Sequence, residues 1–174
     1  PIITGQYPLV IEEDHELPIR ISDLSYEDVD KGDEQPVLKV MPGENYSISG
    51  AAVYPAPDYN GRLQVTMILE DGEEESEPFV LNVDVLPVND PPTIIGVSAI
   101  PMEGNSTLTI LREDVAISDP DTDATDLTLS ILAGTDYTVS GLTITPKINL
   151  FGTLQVAMQA SDGVVAGEIF YALI

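Results

Sequence analysis

The stretches "NYSISGAAVYPAPDYNGRLQVTMILEDG" (Asn45–Gly72) and "DYTVSGLTITPKINLFGTLQVAMQASDG" (Asp136–Gly163) lie over one another without a gap. Tyr46 meets Tyr137, Ser49-Gly50 meets Ser140-Gly141, Pro55 meets Pro146, and Leu63-Gln64-Val65 meets Leu154-Gln155-Val156. Carried back until Pro1 lies over Pro92, the same register gives about 24 identities in about 83 pairs. A repeat of this length is a whole domain and not a solenoid unit. The chain therefore reads as two tandem domains, residues 1–90 and 91–174. The second stops opposite Val83, before any counterpart of "DVLPVND" (Asp84–Asp90). Another such connector and further copies are expected in a longer natural chain.

Each copy is written in strands. "LPIRI" and "LTLSILA" alternate, and "GRLQVTMIL" and "GTLQVAMQA" set Leu, Val and Met two apart, which places them on one face. "PFVLNVDVLPV" reads as a long last strand with alternate positions inward. "SGAAVYP" and "SGLTITP" each begin at a Ser-Gly turn and predict a tight hairpin with the preceding "YSI" or "YTV". No segment has a helical period. About seven short strands per copy predict an all-β fold, two tandem immunoglobulin-like sandwiches.

Thirty acids against six bases give a formal charge of −24 over 174 residues. Such a surface repels nucleic acid and anionic lipid. A hydrophobic content of 43% nevertheless supplies a core, so acidity here does not mean disorder. No apolar run is long enough to span a membrane. Cysteine is absent, which excludes disulfides and thiolate metal sites.

The duplication sorts acids that recur from acids that accumulate. Recurring are Glu12 with Glu103, Asp23 with Asp114, Asp28 and Asp30 with Asp119 and Asp121, Asp71 with Asp162, and Glu77 with Glu168. Of these, Asp23/Asp114 read as local backbone caps and Glu77/Glu168 as surface on the last strand. His15 does not recur and is assigned nothing. In a seven-strand sandwich, successive loops alternate between the two ends. Asp28, Asp30 and Asp71, and in the second copy Asp119, Asp121 and Asp162, share the end at which the chain enters. Glu12 or Glu13, Asp58 and the linker residues Asn89-Asp90 share the end at which it leaves.

At the joint, then, Glu12, Glu13, Asp58, Asn89 and Asp90 are expected to meet Asp119, Asp121 and Asp162. Carboxylates so gathered repel unless a cation sits among them, and the bases are too few to serve. Ca²⁺ accepts six to eight oxygens in forgiving geometry, whereas Mg²⁺ holds on to its waters and Zn²⁺ asks for nitrogen or sulfur. The Asp-x-Asp spacing, taken as extended backbone, puts both side chains on one side. Asp28, Asp30 and Asp71 form the matching half-site for a preceding domain. Pro91-Pro92 ends the last strand of the first copy and keeps the linker extended. The competing reading makes Asp119/Asp121 and Asp71/Asp162 plain turn residues.

At these residues the chain resembles the cadherin-like tandem repeats of bacterial surface proteins and adhesins. It shares the "VNDPP" junction (Val88–Pro92), the acidic pair Glu12-Glu13, Asp-x-Asp, "YNG" (Tyr59–Gly61) before the sixth strand and Asp-Gly after it. The resemblance runs through both copies. It implies inter-domain Ca²⁺ that rigidifies an extracellular array through Glu12, Glu13, Asp58, Asn89, Asp90, Asp119, Asp121 and Asp162, with neighbouring repeats as partners. Pro87 and Pro91 depart from the animal cadherin linker, and Asn149 replaces Asp58 in the second copy. Tryptophan is absent, which removes support for strand-exchange adhesion.

Catalysis finds little here. One histidine that does not recur and no cysteine leave no nucleophile and base set, so the chain is not read as an enzyme. The rival is a carbohydrate-binding module of a secreted or surface protein, and a passive spacer without metal is the third reading; surface polysaccharide or another cell-surface protein are the partners considered beside neighbouring repeats. A sugar platform would have to use Tyr7, Tyr26, Tyr54 and Tyr59, since Tyr46/Tyr137 recur as core.

Overall fold

The structure is a computed structural model that describes residues 1–29 and 35–174. It divides into two compact units, Pro1–Val88 and Asn89–Ile174. Both are all-β, as the repeat implies, with single 3-10 turns as the helical elements among the described residues.

Unit 1 contains β1 (Ile2–Gln6), β2 (Leu9–Glu12), β3 (Leu17–Pro18), β4 (Leu24–Glu27), β5 (Val37–Val40), β6 (Tyr46–Ser49), β7 (Ala52–Pro55), β8 (Gly61–Glu70) and β9 (Phe79–Leu86). One layer runs β2-β9-β8-β5, with β2 parallel to β9; the other is made of β3-β7-β6 and β1-β4. The strands predicted as the first and second are each broken in two. β1 and β2 come from the first; β3 and β4 flank the turn Ile21–Asp23 in the second. The turn has a clear cause. Asp23 folds its Oδ2 back onto the Arg20 N–H at 2.7 Å, and Asp114 does the same to Leu111 at 2.8 Å. Both are the local caps read from the recurrence. Asp114→Ala is expected to lower unit 2 stability by about 1 kcal/mol, about 4–8 °C in melting temperature. Asp114→Asn, which keeps an acceptor, should lose less in the same melt.

Unit 2 repeats the plan with β10 (Thr93–Val97), β11 (Leu108–Thr109), β12 (Val115–Ser118), β13 (Thr128–Ile131), β14 (Tyr137–Ser140), β15 (Thr143–Pro146), β16 (Gln155–Ser161) and β17 (Phe170–Leu173). Its sheets are β10-β12, β11-β15-β14 and β13-β16-β17. β2 has no counterpart there, because Pro101 stands where unit 1 has Val10. Proline brings no N–H to a ladder.

The alternation predicted for the long strands is observed. Leu63, Val65, Met67 and Leu69 of β8 lie beside Leu81, Val83 and Val85 of the neighbouring β9 in one core; Leu154, Val156, Met158 and Ala160 line the other. Both predicted hairpins form, β6 with β7 and β14 with β15. Gly50 and Gly141 open their two-residue loops at φ 63° and 61°, a conformation that glycine adopts without strain.

A recurring tyrosine ties the layers together. Tyr137 is 4% exposed, and its hydroxyl donates to the Leu132 carbonyl at 2.9 Å while accepting the Ala157 N–H at 2.9 Å. Tyr46 makes the equivalent bonds to Met41 O and Thr66 N–H. The aromatic ring passes directly over a glycine in each unit, Gly134 or Gly43.

Candidate metal centre

The upstream end of unit 2 is built from three segments: linker residues 89–92, the loop after β12 and the turn after β16. Asp119 spends one carboxylate oxygen on its own loop, Oδ1 accepting the N–H of Asp121 at 2.9 Å and of Thr122 at 2.8 Å. Asp162 does likewise, with Oδ1 accepting from Val164 and Val165 at 2.7 Å each, ahead of Gly163 at φ 93°. These are Asx turns, the turn-residue reading of the same acids. The second oxygens do something else. Asp162 Oδ2 accepts from Asn89 Nδ2 at 2.7 Å, and Asp121 Oδ2 accepts the Asp90 N–H at 2.7 Å. Asp119 Oδ2 is shielded from solvent and has no hydrogen-bond partner.

One expectation is corrected here. Asp119-Pro120-Asp121 is a bend and not extended backbone, so the two carboxylates are not placed by strand alternation. The Asx turn of Asp119 curls the chain and sends Asp121 toward the linker.

The Asn89 amide, followed by the Val165 N–H, holds the Asp162 carboxyl below its ordinary pKa of 3.8. A carboxyl whose folded pKa is lowered adds stability that is complete above the unfolded pKa and is lost as pH falls through the folded one. Unit 2 is therefore expected to keep its melting temperature from pH 7 to about 5 and to lose part of it below about 4. Asn89→Ala should shrink that acid-sensitive component.

The upstream end of unit 1 is the same device. Asp71 Oδ1 accepts the N–H of Glu73 and Glu74 at 2.9 and 2.8 Å. The Glu74 bond, then the Glu73 bond, lowers its pKa. Asp71 Oδ2 and Asp28 Oδ1 lie 3.6 and 3.9 Å from the Pro1 amino nitrogen. Asp30 lies outside the described residues.

At the downstream end of unit 1, Glu13 is 1% exposed. Its Oε1 accepts the Val88 N–H at 2.6 Å and its Oε2 accepts from Asn60 at 3.3 Å. Beside it, Asp14 Oδ1 accepts the Asp58 N–H at 3.3 Å. Both aspartates have left-handed backbones, φ 59° and 57°. Glu12 is exposed, like Val10 two residues before it on β2. His15 Nδ1 lies 2.9 Å from the Glu13 carbonyl oxygen. Glu77 and Glu168 are exposed.

Asp14 and Asn60 were missed from sequence, although a signal existed. Asn105 and Asn149 occupy the places of Asp14 and Asp58 in unit 2, with φ 61° and 64° and the same bond, Asn105 Oδ1 accepting the Asn149 N–H at 3.0 Å. Asparagine is at least as comfortable as aspartate in this backbone region. The fold thus gives no reason for charge at both positions in unit 1. The downstream end of unit 2 is also neutral at its other two positions, Gly104 for Glu13 and Phe151 for Asn60.

The side chains named at these ends offer carboxylate and amide oxygens and no thiolate, and the one imidazole, His15, has its Nδ1 against the Glu13 carbonyl. A shielded carboxylate oxygen without a partner, Asp119 Oδ2, is one that a hard cation would satisfy. The residues therefore fit Ca²⁺. They offer less to a sugar. Tyr26 and Tyr59 pack against the unit 1 core, and Tyr54 donates to Glu16, leaving Tyr7 most open.

Among solved structures the chain is similar to a piece of Protocadherin Gamma B2, extracellular cadherin domains 1–5, at 13% identity and TM-score 0.47. That match covers 99% of this chain and 38% of the other. Similarity to human Protocadherin-24 EC1-2 is at 14% identity and TM-score 0.45, covering 97% and 94%. An endo-fucoidan hydrolase of glycoside hydrolase family 107 matches at 15% identity and TM-score 0.33, over 79% of this chain and 23% of its own. No protein-family model and no curated sequence matches.

Proposed function

We propose that this chain is a calcium-binding, cadherin-like repeat pair from a larger extracellular protein, in which Ca²⁺ at the inter-domain joint stiffens a rod that spaces or mediates adhesion. What carries the reading is the division of labour at the upstream end of unit 2. Asp119 and Asp162 each hold their own turn with one oxygen and turn the other away from it, and Asp119 Oδ2 is left shielded and unsatisfied.

The residues that would hold the ion are Asp119, Asp121 and Asp162 of unit 2, Asn89 and Asp90 of the linker, and Glu13 and Asp58 of unit 1. Asp14 joins them because it is bonded to Asp58. Glu12 is exposed on β2 and is the weakest member of the set. Asp28, Asp30 and Asp71 are the half-site that unit 1 offers to a preceding repeat. A bound Ca²⁺ supplies two positive charges to carboxylates drawn from separate segments. The protein's own part is to keep those oxygens presented: Asx turns fix Asp119 and Asp162, and the linker, which begins one peptide after Val88, contributes from its own backbone. Joints of this sort need only weak sites, about 10⁻⁴–10⁻³ M, where calcium is plentiful outside cells. The surface of a bacterium is the setting that the resemblance suggests.

Small-angle scattering and thermal melts in millimolar CaCl₂ and again in chelator test the proposal. Calcium is expected to narrow the distribution of shapes and raise the melting temperature, and Asp119→Ala and Asp90→Ala to remove both effects. Identical scattering and identical melts in the two conditions would sink it. A glycan array would then be the next measurement, with Tyr7→Ala as its control.

A further inference from the structure

We infer that unit 2 carries a clasp that holds the linker without any cation, and that Asn89 is the part of it that changes partner when calcium arrives. The holding contacts all lie within unit 2. Asn89 donates its side-chain amide to Asp162 Oδ2, and Asp90 donates its backbone N–H to Asp121 Oδ2, both at 2.7 Å. Two residues on, Pro92 is buried, and its carbonyl lies so close to Gly167 that a Cβ there would collide with it. Three successive parts of the linker are thus seated on two loops of the same unit, those after β12 and after β16.

The chemistry of residue 89 makes the clasp convertible. Asp121 and Asp162 need positive partners, and in the absence of a metal the nearest are N–H groups. Pro91 and Pro92 have none to offer, so Asn89 and Asp90 supply them. An asparagine amide presents donors on one side and a carbonyl oxygen on the other. Half a turn about its last side-chain bond replaces a hydrogen bond to Asp162 with an oxygen facing a cation. Aspartate at this position could serve only the cation, and lysine only the carboxylate. The same amide is the largest influence lowering the Asp162 pKa, so the contact is felt electrostatically as well as sterically. Calcium would then exchange one set of bonds for another at a linker already ordered, instead of ordering a loose one. The clasp stands on the geometry alone; the change of partner rests on the calcium reading.

Nitrogen-15 NMR of the whole 174-residue chain separates the two. In EDTA, the Asp90 amide is expected to exchange at least tenfold more slowly than an unstructured amide. Asn89→Ala and Asp121→Ala should each speed it, the latter by about tenfold, while the Ala157 amide under Tyr137 stays protected and reports that unit 2 is folded. Adding millimolar CaCl₂ should move the Asn89 side-chain NH₂ signals together with the Asp119 and Asp121 amides. Free exchange at Asp90 in EDTA, in a folded chain, overturns the clasp whatever calcium does. Protection at Asp90 with no response to CaCl₂ upholds the clasp and overturns the calcium reading. Shifts at Asp119 and Asp121 with the Asn89 NH₂ unmoved overturn the change of partner.

Discussion

Gly134→Ala is expected to destabilise unit 2 by about 1–3 kcal/mol, a large share of the roughly 5–15 kcal/mol that holds a domain folded. The position has ordinary backbone angles, so the cost is one of space. A Cβ at Gly134 would fall inside the ring of Tyr137, against Cε1 and Cζ. A flexible side chain could move aside, but this ring is 4% exposed and its hydroxyl is pinned between the Leu132 carbonyl and the Ala157 N–H. Moving it breaks those bonds, which costs about 1–3 kcal/mol for the groups left unsatisfied. Keeping it strains the core by about 1–3 kcal/mol. The melting temperature of unit 2 should fall by roughly 5–20 °C. Tyr137→Phe removes the bonds without the clash and should cost less. If both changes act through the one ring, the double variant costs less than the sum of the singles. A Gly134→Ala protein melting within about 2 °C of wild type would mean that the ring yields, and the account would be wrong. Gly43→Ala should repeat the effect in unit 1 more weakly, since Tyr46 is less buried and its bond to Thr66 is long at 3.4 Å.

The Gly-x-x-Tyr pair also marks where sequence reading stops. Gly43/Gly134 and Tyr46/Tyr137 recur in the duplication, and the recurrence placed the tyrosines in the core. Nothing in a string of letters says that the ring lies over the glycine three residues earlier. That follows from the way the chain turns into β14. The strands themselves were legible because β8, β9 and β16 alternate Leu, Val, Met and Ala with period two and must bury one face. Asp23 and Asp114 were legible as caps for an equally local reason, a side chain three residues from the N–H it accepts. The breaks in the first two strands were not, since they depend on where the chain crosses between layers. The acids divide the same way. Asp119 and Asp162 recur at fixed loop positions, which is what singles them out in the sequence. Asp14 was passed over because its match in the second copy is an amide, and only the shared left-handed backbone and shared hydrogen bond show that the two positions correspond.

That correspondence yields the second large expected effect. The double substitution Asp14→Asn and Asp58→Asn gives unit 1 the pair that unit 2 already folds with, so the backbone and the bond between the loops should survive. In chelator the variant should melt no lower than wild type, because two neighbouring negative charges have been removed at no conformational cost. In calcium the two proteins should part. A site of about 10⁻⁴ M stabilises the folded state by about 2.7 kcal/mol at a hundredfold excess of ion. That is a rise of roughly 10–20 °C for a domain of this size. On the proposed reading, removing the two carboxylates takes away ligands that Asn60 and the backbone cannot replace, and a rise below about 3 °C is expected. Should the variant keep the full calcium-dependent rise, Asp14 and Asp58 are not ligands, and the proposed set must do without them. Should it melt lower than wild type in chelator, the aspartates carry a structural load that Asn105 and Asn149 do not, and the comparison between the two units fails at its premise.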